Sequence, residues 1–470
     1  MRPRGSFSTY VPGVLLVVGL VTGLPGPAHA AAGEARPLSL EAAIDGALAH
    51  NVDALLARAN EDDAAGQRVT ARAAFLPHLS GQVSQQRRQT NLAAQGFDFG
   101  SDLGGGAGDA LAATGIDLNF PTTVTYNVFD ARAHLRQTLF DYSAWQTYKQ
   151  AKVGERAARA RSEVAEEQVA AQAELDYIAL ASANAEIEAA QADIDQAEAL
   201  LKLARDQETV GVATGLDVTR ARSRLAENRA RLAQRRTEAA RARIRLARTV
   251  GLPLGTPIRL TDALVFRPMP LGSVDGDIAT AFGRRAELTM ARLRIDQSSH
   301  ALASAKGQRL PTVGVEAAYG ESGNTPGENA RPTYAVGATL NVPIFDGGAI
   351  SGRVDSAASQ LNQQRIRFRD TQDEVEADVR TSRETLTHLD AQVRAARSNE
   401  TLAEQELARS QDRFANGVTD NVEVVEAQTS LAAARSRRIN ALAEFTRARI
   451  NRAAALGRAR QFSLNHPMRP

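Results

Sequence analysis

Three acidic residues stand beside two glycine turns in this chain. Glu423 and Glu426 follow Gly417 in the stretch Arg413-Phe414-Ala415-Asn416-Gly417-Val418-Thr419-Asp420-Asn421-Val422-Glu423-Val424-Val425-Glu426-Ala427, and Asp217 follows Gly211 in a similar stretch 206 residues earlier. At that offset Gly211 matches Gly417, Asp217 matches Glu423 and Val218 matches Val424, so the chain contains two copies of one unit. Glu423 and Glu426, three residues apart, share one face of the helix that follows the turn. Carboxylates in a first turn also suit the positive end of a helix dipole, and Asp217 can simply cap its own helix. No other constellation suggests a reaction. The seven histidines stand singly, at 29, 50, 78, 134, 300, 388 and 466, there is no cysteine, and no metal-ligand spacing, nucleophile, base or phosphate loop is present. Enzymatic function, a metal and a cofactor are therefore not expected.

The composition narrows the class further. Arg2 and Arg4 precede a 14-residue apolar run, Val11 to Leu24, and Ala28-His29-Ala30 offers small residues where a signal peptidase cuts. Residues 1–30 are expected to be a secretory signal peptide, leaving Ala31 first in the mature chain. Without those two arginines the basic residues fall from 56 to 54 against 54 acids, so the mature net charge is zero and nucleic acid is not an expected partner. No later run approaches the roughly 18 apolar residues of a membrane-spanning helix. The absence of cysteine rules out disulfides and a lipid-anchoring cysteine.

The elements that hold the acids are unusually long. Tyr142 to Thr209 contains no proline and only Gly154, which predicts one helix of about 100 Å at ~1.5 Å per residue. Val169, Ala173, Leu180, Ala183 and Ile187 form its apolar seam, and Leu216 to Val250 returns after the turn. Before it, Ser39 to Phe75 is expected as one helix with Ser39 as N-cap, ended by Leu76-Pro77. Two alternating strands follow, one from Leu79 and one over Val128 to Leu139, separated by a Gly-rich loop over 91–123. Residues 31–250 thus form a first repeat, 251–277 the joint between the halves, with four prolines and repeated glycine, and 278–457 a second repeat. The second repeat runs through Val313-Val315-Ala317-Tyr319, Tyr334 to Val342, a long helix from Ile350 to Ala415 seamed by Leu361, Phe368, Val375, Val379, Leu386, Leu389 and Val393, and a return from Asn421 to Leu456. Residues 458–470 show no period and are expected to be disordered.

Four strands cannot close a barrel with an open lumen, and lipid does not tolerate unpaired edges. The strands are therefore expected to be completed by other copies, giving a homo-oligomer with a shared β-barrel. Tyr126, Phe129, Tyr319, Tyr334 and Phe345 near strand ends are candidates for an aromatic girdle, with core filling as the alternative. The first and returning helices of each half together match the long helix in length and can stack beside it, which suits a tube.

This order of elements, the opening Leu38-Ser39-Leu40-Glu41-Ala42-Ala43-Ile44 with Ala47-Leu48 and Asn51, the Leu-Pro pairs, and Val342-Pro343-Ile344-Phe345-Asp346-Gly347-Gly348 resemble the TolC family of outer-membrane channel proteins. The resemblance covers roughly Leu38 to Gly457. It implies a mainly α-helical fold with a small β part: a trimer with a twelve-stranded barrel in outer-membrane lipid and a helical tunnel across the periplasm. It also implies a periplasmic adaptor and an inner-membrane transporter of RND, ABC or MFS type, with efflux or type I secretion as the task. In such relatives acids at the positions of Glu423 and Glu426 ring the tunnel entrance, where threefold symmetry would attract cations. The aspartate matching Asp217 bonds a tyrosine and an arginine of a neighbouring second repeat, but those positions are Phe414 and Thr419 here, which lack the hydroxyl and the charge. Gly211, Val212, Gly417 and Val418 correspond to the tips where adaptor hairpins dock. A periplasmic coiled-coil or adaptor protein without a pore is the alternative, and four amphipathic strands speak against it.

Overall fold

The computed structural model describes residues 35–92, 94 and 123–464. The expected signal peptide, most of the Gly-rich loop and the last six residues lie outside them. The described chain begins with a short strand, β1 (Arg36–Leu38), then helices α1 (Leu40–His50) and α2 (Val52–Ala73), strands β2 (His78–Asn91) and β3 (Thr123–Phe140), the long helix α3 (Tyr142–Thr209) and its return α4 (Gly215–Val250). After strand β4 (Ile258–Leu260) the same order recurs as α5 (Val274–Arg284), α6 (Ala286–Gly307), β5 (Thr312–Gly323), β6 (Arg331–Asn341), α7 (Ala349–Ala415) and α8 (Asn421–Ala455), with a 3-10 turn over Ala459–Gln461.

Two expectations need correction. The helix expected over Ser39 to Phe75 is broken at Asn51. Its extended backbone ends α1, and its side chain accepts from the Asp53 amide to start α2; a local side-chain cap outcompetes helix continuation. Ser39 does cap α1, accepting from the Ala42 amide. Within 251–277, β4 pairs in parallel with β1 and α5 begins at Val274. The segment after Gly457 is not disordered as far as Leu464: Ala459, Phe462 and Leu464 are buried with Leu38, Leu40, Ile44, Tyr177, Leu246 and Ile450 in one core. Tyr177 ties that core together. Its hydroxyl contacts the Leu38 carbonyl and the Asp262 carboxylate at 3.1 and 3.3 Å and meets the Asp262 amide at 3.1 Å.

One buried group nearby has no such partner. Glu174 on α3 is fully buried, with neither carboxylate oxygen hydrogen-bonded to any described residue. Removal from water, reinforced by the charge of Glu167, pushes its pKa up to about 9.

The helices pack side by side as a strip. In one half α2 lies on α3, α3 on α6 and α6 on α7; in the other α4 lies on α3, α3 on α8 and α8 on α7. The strip thus has α2 and α4 on one edge and α7 on the other. The sheet repeats this arrangement, with order β2-β3-β5-β6, and among the described residues the outer edges of β2 and β6 are unpaired. Register decides its faces. Leu79 lies opposite Leu135, Leu135 opposite Ala317 and Ala317 opposite Val336, while Val313 faces Leu340 and Tyr319 faces Tyr334. Directly paired residues point to the same side, so the sheet has one mainly apolar face, interrupted by Gln137 and, toward the far end, by Gln85, Arg87 and Glu321; Leu79, Leu135, Tyr319, Tyr334, Val336 and Leu340 on it are exposed. The other face carries His78, Gln82, Asp130, Arg132, His134, Arg136 and Glu316. Tyr126, opposite Arg88, belongs to that polar face and not to the apolar one.

Candidate functional site at the helical tips

The two turns are built alike because their backbones are. At the first, the Gly211 amide donates to the Glu208 carbonyl at 3.1 Å and the Val212 amide to the Gln207 carbonyl at 2.9 Å. At the second, the Gly417 amide donates to Phe414 at 3.0 Å and the Val418 amide to Arg413 at 2.9 Å. This is the Schellman pattern, which satisfies the last helical carbonyls and requires a left-handed residue; Gly211 and Gly417 supply it at φ 78° and 69°. Val212 and Val418, carried outward by the turns, are 59% and 67% exposed. The tips touch, since a Cβ on Gly417 would lie 3.5 Å from Val212 Cγ1.

Polar side chains fasten one tip to the other. Gln207 Nε2 donates to the Phe414 carbonyl at 3.0 Å, and Asn421 Nδ2 donates to the Asp217 carbonyl at 2.6 Å. Each leaves its own amide oxygen buried without a partner, which makes the fastening weaker than two complete amide bonds. Neither residue was singled out from the sequence. Both lie within the matched segments, but only the fold shows that their side chains cross between hairpins.

The acids divide into three environments. Asp217 closes a capping box on α4, accepting from the Thr214 amide at 2.9 Å and hydroxyl at 2.7 Å. Burial would raise its pKa, but the Thr214 hydrogen bonds and the Arg220 charge outweigh it and hold the carboxyl below its ordinary value. Glu423 sits half-buried and is engaged inside its own chain, 3.6 Å from Arg413 and 3.4 Å from the Ser410 hydroxyl. Glu426 is exposed and has no ion pair among the described residues. Phe414 is 3% exposed and packs in the inter-hairpin core with Leu200, Leu407 and Val424. Thr419 is half-buried. The positions for which the resemblance implies a tyrosine and an arginine thus hold a buried phenylalanine and a half-buried threonine.

A sheet with one exposed, mainly apolar face, joined to two helical hairpins that run far beyond it, is an architecture shared with solved outer-membrane channels. The chain matches the family model for outer membrane efflux proteins over residues 43–252 and 278–458, and it belongs to that family and to the outer membrane. Among its relatives, the pyoverdine export outer membrane protein OpmQ of Pseudomonas aeruginosa is 23% identical over 252 residues, 52% of each chain. The proteases secretion protein PrtF of Dickeya chrysanthemi is 22% identical over 318 residues, 66% of this chain and 69% of that one. The chain thus aligns with about half the length of the first of these relatives. Among solved structures, the Campylobacter jejuni CmeC outer membrane channel matches with a TM-score of 0.76 at 17% identity, covering 91% of this chain and 87% of that one. The resemblance to TolC-like channels and the mainly helical fold expected from the sequence both hold.

Proposed function

We propose that three copies of this chain form the exit duct of a tripartite efflux or type I secretion apparatus, a passive channel that performs no catalysis. The observation that carries the reading is the four-stranded sheet, mainly apolar on one exposed face and polar on the other, with the outer edges of β2 and β6 unpaired among the described residues. In lipid an unpaired strand edge costs several kcal/mol per group, so β6 of one copy joins β2 of the next. Three copies supply twelve strands. The helical strip has edges in the same order, and α7 of one copy meets α2 and α4 of the next to close a periplasmic tunnel. The valine tips, Val212 and Val418, offer apolar contacts to a periplasmic adaptor that links the duct to an RND, ABC or MFS transporter in the inner membrane. Purified from outer membranes, the mature protein is expected to migrate as a trimer in detergent. A monodisperse water-soluble monomer from the periplasm would overturn the reading.

Glu423 and Glu426 of three copies face the tunnel mouth on this reading, but their roles differ. Glu423 is partly balanced by Arg413, an exposed pair of modest strength, whereas Glu426 brings an uncompensated charge. Glu426→Gln is therefore expected to reduce cation selectivity in planar bilayers, and block by trivalent cations from the periplasmic side, more than Glu423→Gln does. The double variant should show the largest loss. Unchanged selectivity in the double variant would place both acids outside the passage.

A further inference from the structure

Two histidines 56 residues apart in sequence meet on the polar face of the sheet. In the β2–β3 register His78 lies opposite Arg136 and Ser80 opposite His134. The two imidazoles therefore share a face on neighbouring strands, one diagonal step apart, where residues are about 7–8 Å from each other and their Cβ atoms somewhat closer. Both line one hollow of about 920 Å3 with Ser80, Gln82, Arg136 and Glu316. The strongest competitors for either ring are already occupied with each other, since Arg136 Nε donates to Glu316 Oε1 at 2.8 Å. Neither histidine has a hydrogen-bond or ion-pair partner among the described residues.

We propose that His78 and His134 form a two-imidazole site for a borderline divalent transition ion such as Zn2+ or Ni2+. Imidazole nitrogen is a preferred ligand of these ions and a poor one for Mg2+ or Ca2+. A nitrogen-to-metal distance of about 2.0–2.1 Å on each side lets rings on residues so placed reach a shared ion, with water filling the remaining positions. The sequence offers no hint of the pair, because strand register and not sequence spacing creates it. The site itself needs only the β2–β3 pairing; its position in a channel lumen, repeated three times, rests on the proposed trimeric barrel.

The test uses the full-length, untagged protein in detergent, treated with diethylpyrocarbonate and read histidine by histidine by mass spectrometry. Zn2+ is expected to lower modification of His78 and His134 together by several-fold, to leave the exposed His50 unchanged, and to be without effect when replaced by Mg2+. In His134→Gln the protection of His78 should disappear while the trimer yield stays normal. Protection of neither histidine in the parent protein, or full protection of His78 in His134→Gln, overturns the site. Zn2+ added from the outer side of a bilayer separates the two readings: protection without block of conductance leaves the metal site standing and removes it from the lumen.

Discussion

Arginine in place of Leu135 or Leu340 is expected to prevent stable insertion, with little trimer recovered from the outer membrane. Leu135 sits in a row of four paired residues, Leu79, Leu135, Ala317 and Val336, and Leu340 pairs with Val313. All belong to the mainly apolar face, which no described residue covers. A lipid-facing arginine costs roughly 2–4 kcal/mol near the bilayer midplane, and every copy in the assembly bears it. The neighbouring position Gln82 lies on the opposite face, so Gln82→Arg should insert normally and serves as the matched control. Equal trimer yields from Leu135→Arg, Leu340→Arg and Gln82→Arg would mean that the two faces have been assigned the wrong way round.

The second large effect concerns stability and pH. Glu174 has no hydrogen-bond partner among the described residues and a pKa pushed up to about 9, whereas in the unfolded chain it titrates near 4.5. Below that value both states hold the proton and the residue makes no pH-dependent contribution. As pH rises above it the unfolded state alone releases the proton, so stability falls by up to about 1.4 kcal/mol per unit until the folded group itself ionises. At pH 7 the penalty is on the order of 3 kcal/mol for each copy. Glu174→Gln keeps the shape and removes the proton. Its thermal unfolding, followed by helical circular dichroism in detergent, should match the parent near pH 4.5 and lie well above it at pH 8. A constant difference across that range would show that the gain does not come from the carboxyl group.

Much of this architecture was legible because long helices announce their own ends. The span of α3 follows from a proline-free run between Asp141, whose side chain caps it, and the Gly211 turn, and both bounds agree with the sequence reading. The α7 seam was equally plain: Leu361, Val375, Val379, Leu386 and Val393 are all buried. What escaped was decided by neighbours distant in sequence. The three-residue strands β1 and β4 exist only because Arg36 to Leu38 meets Ile258 to Leu260, and no period can be seen in three residues. The packing of Phe462 depends on Arg449, whose guanidinium lies 5.3 Å from the ring centre. At the tips the glycine turns and acids could be placed from spacing alone, but not the Arg413 contact that separates Glu423 from Glu426. That contact depends on how the returning helix is rotated.

The central core, in which Leu38 and Leu40 pack with Phe462 and Leu464, also imposes an order in time. Leu464 is synthesised roughly 400 residues after Leu40, a delay of about 20 seconds or more at 5–20 residues per second. The long hairpins between them can form from local contacts well before then. The waist of the molecule cannot close until the chain has been delivered almost in full, so an interrupted export product remains open at its middle and accessible to proteases. Limited proteolysis would show this directly: a chain ending at Gly457 should be cut near β1 and β4 under conditions that leave the complete chain whole, and equal resistance would mean that the waist closes without its final strand of contacts.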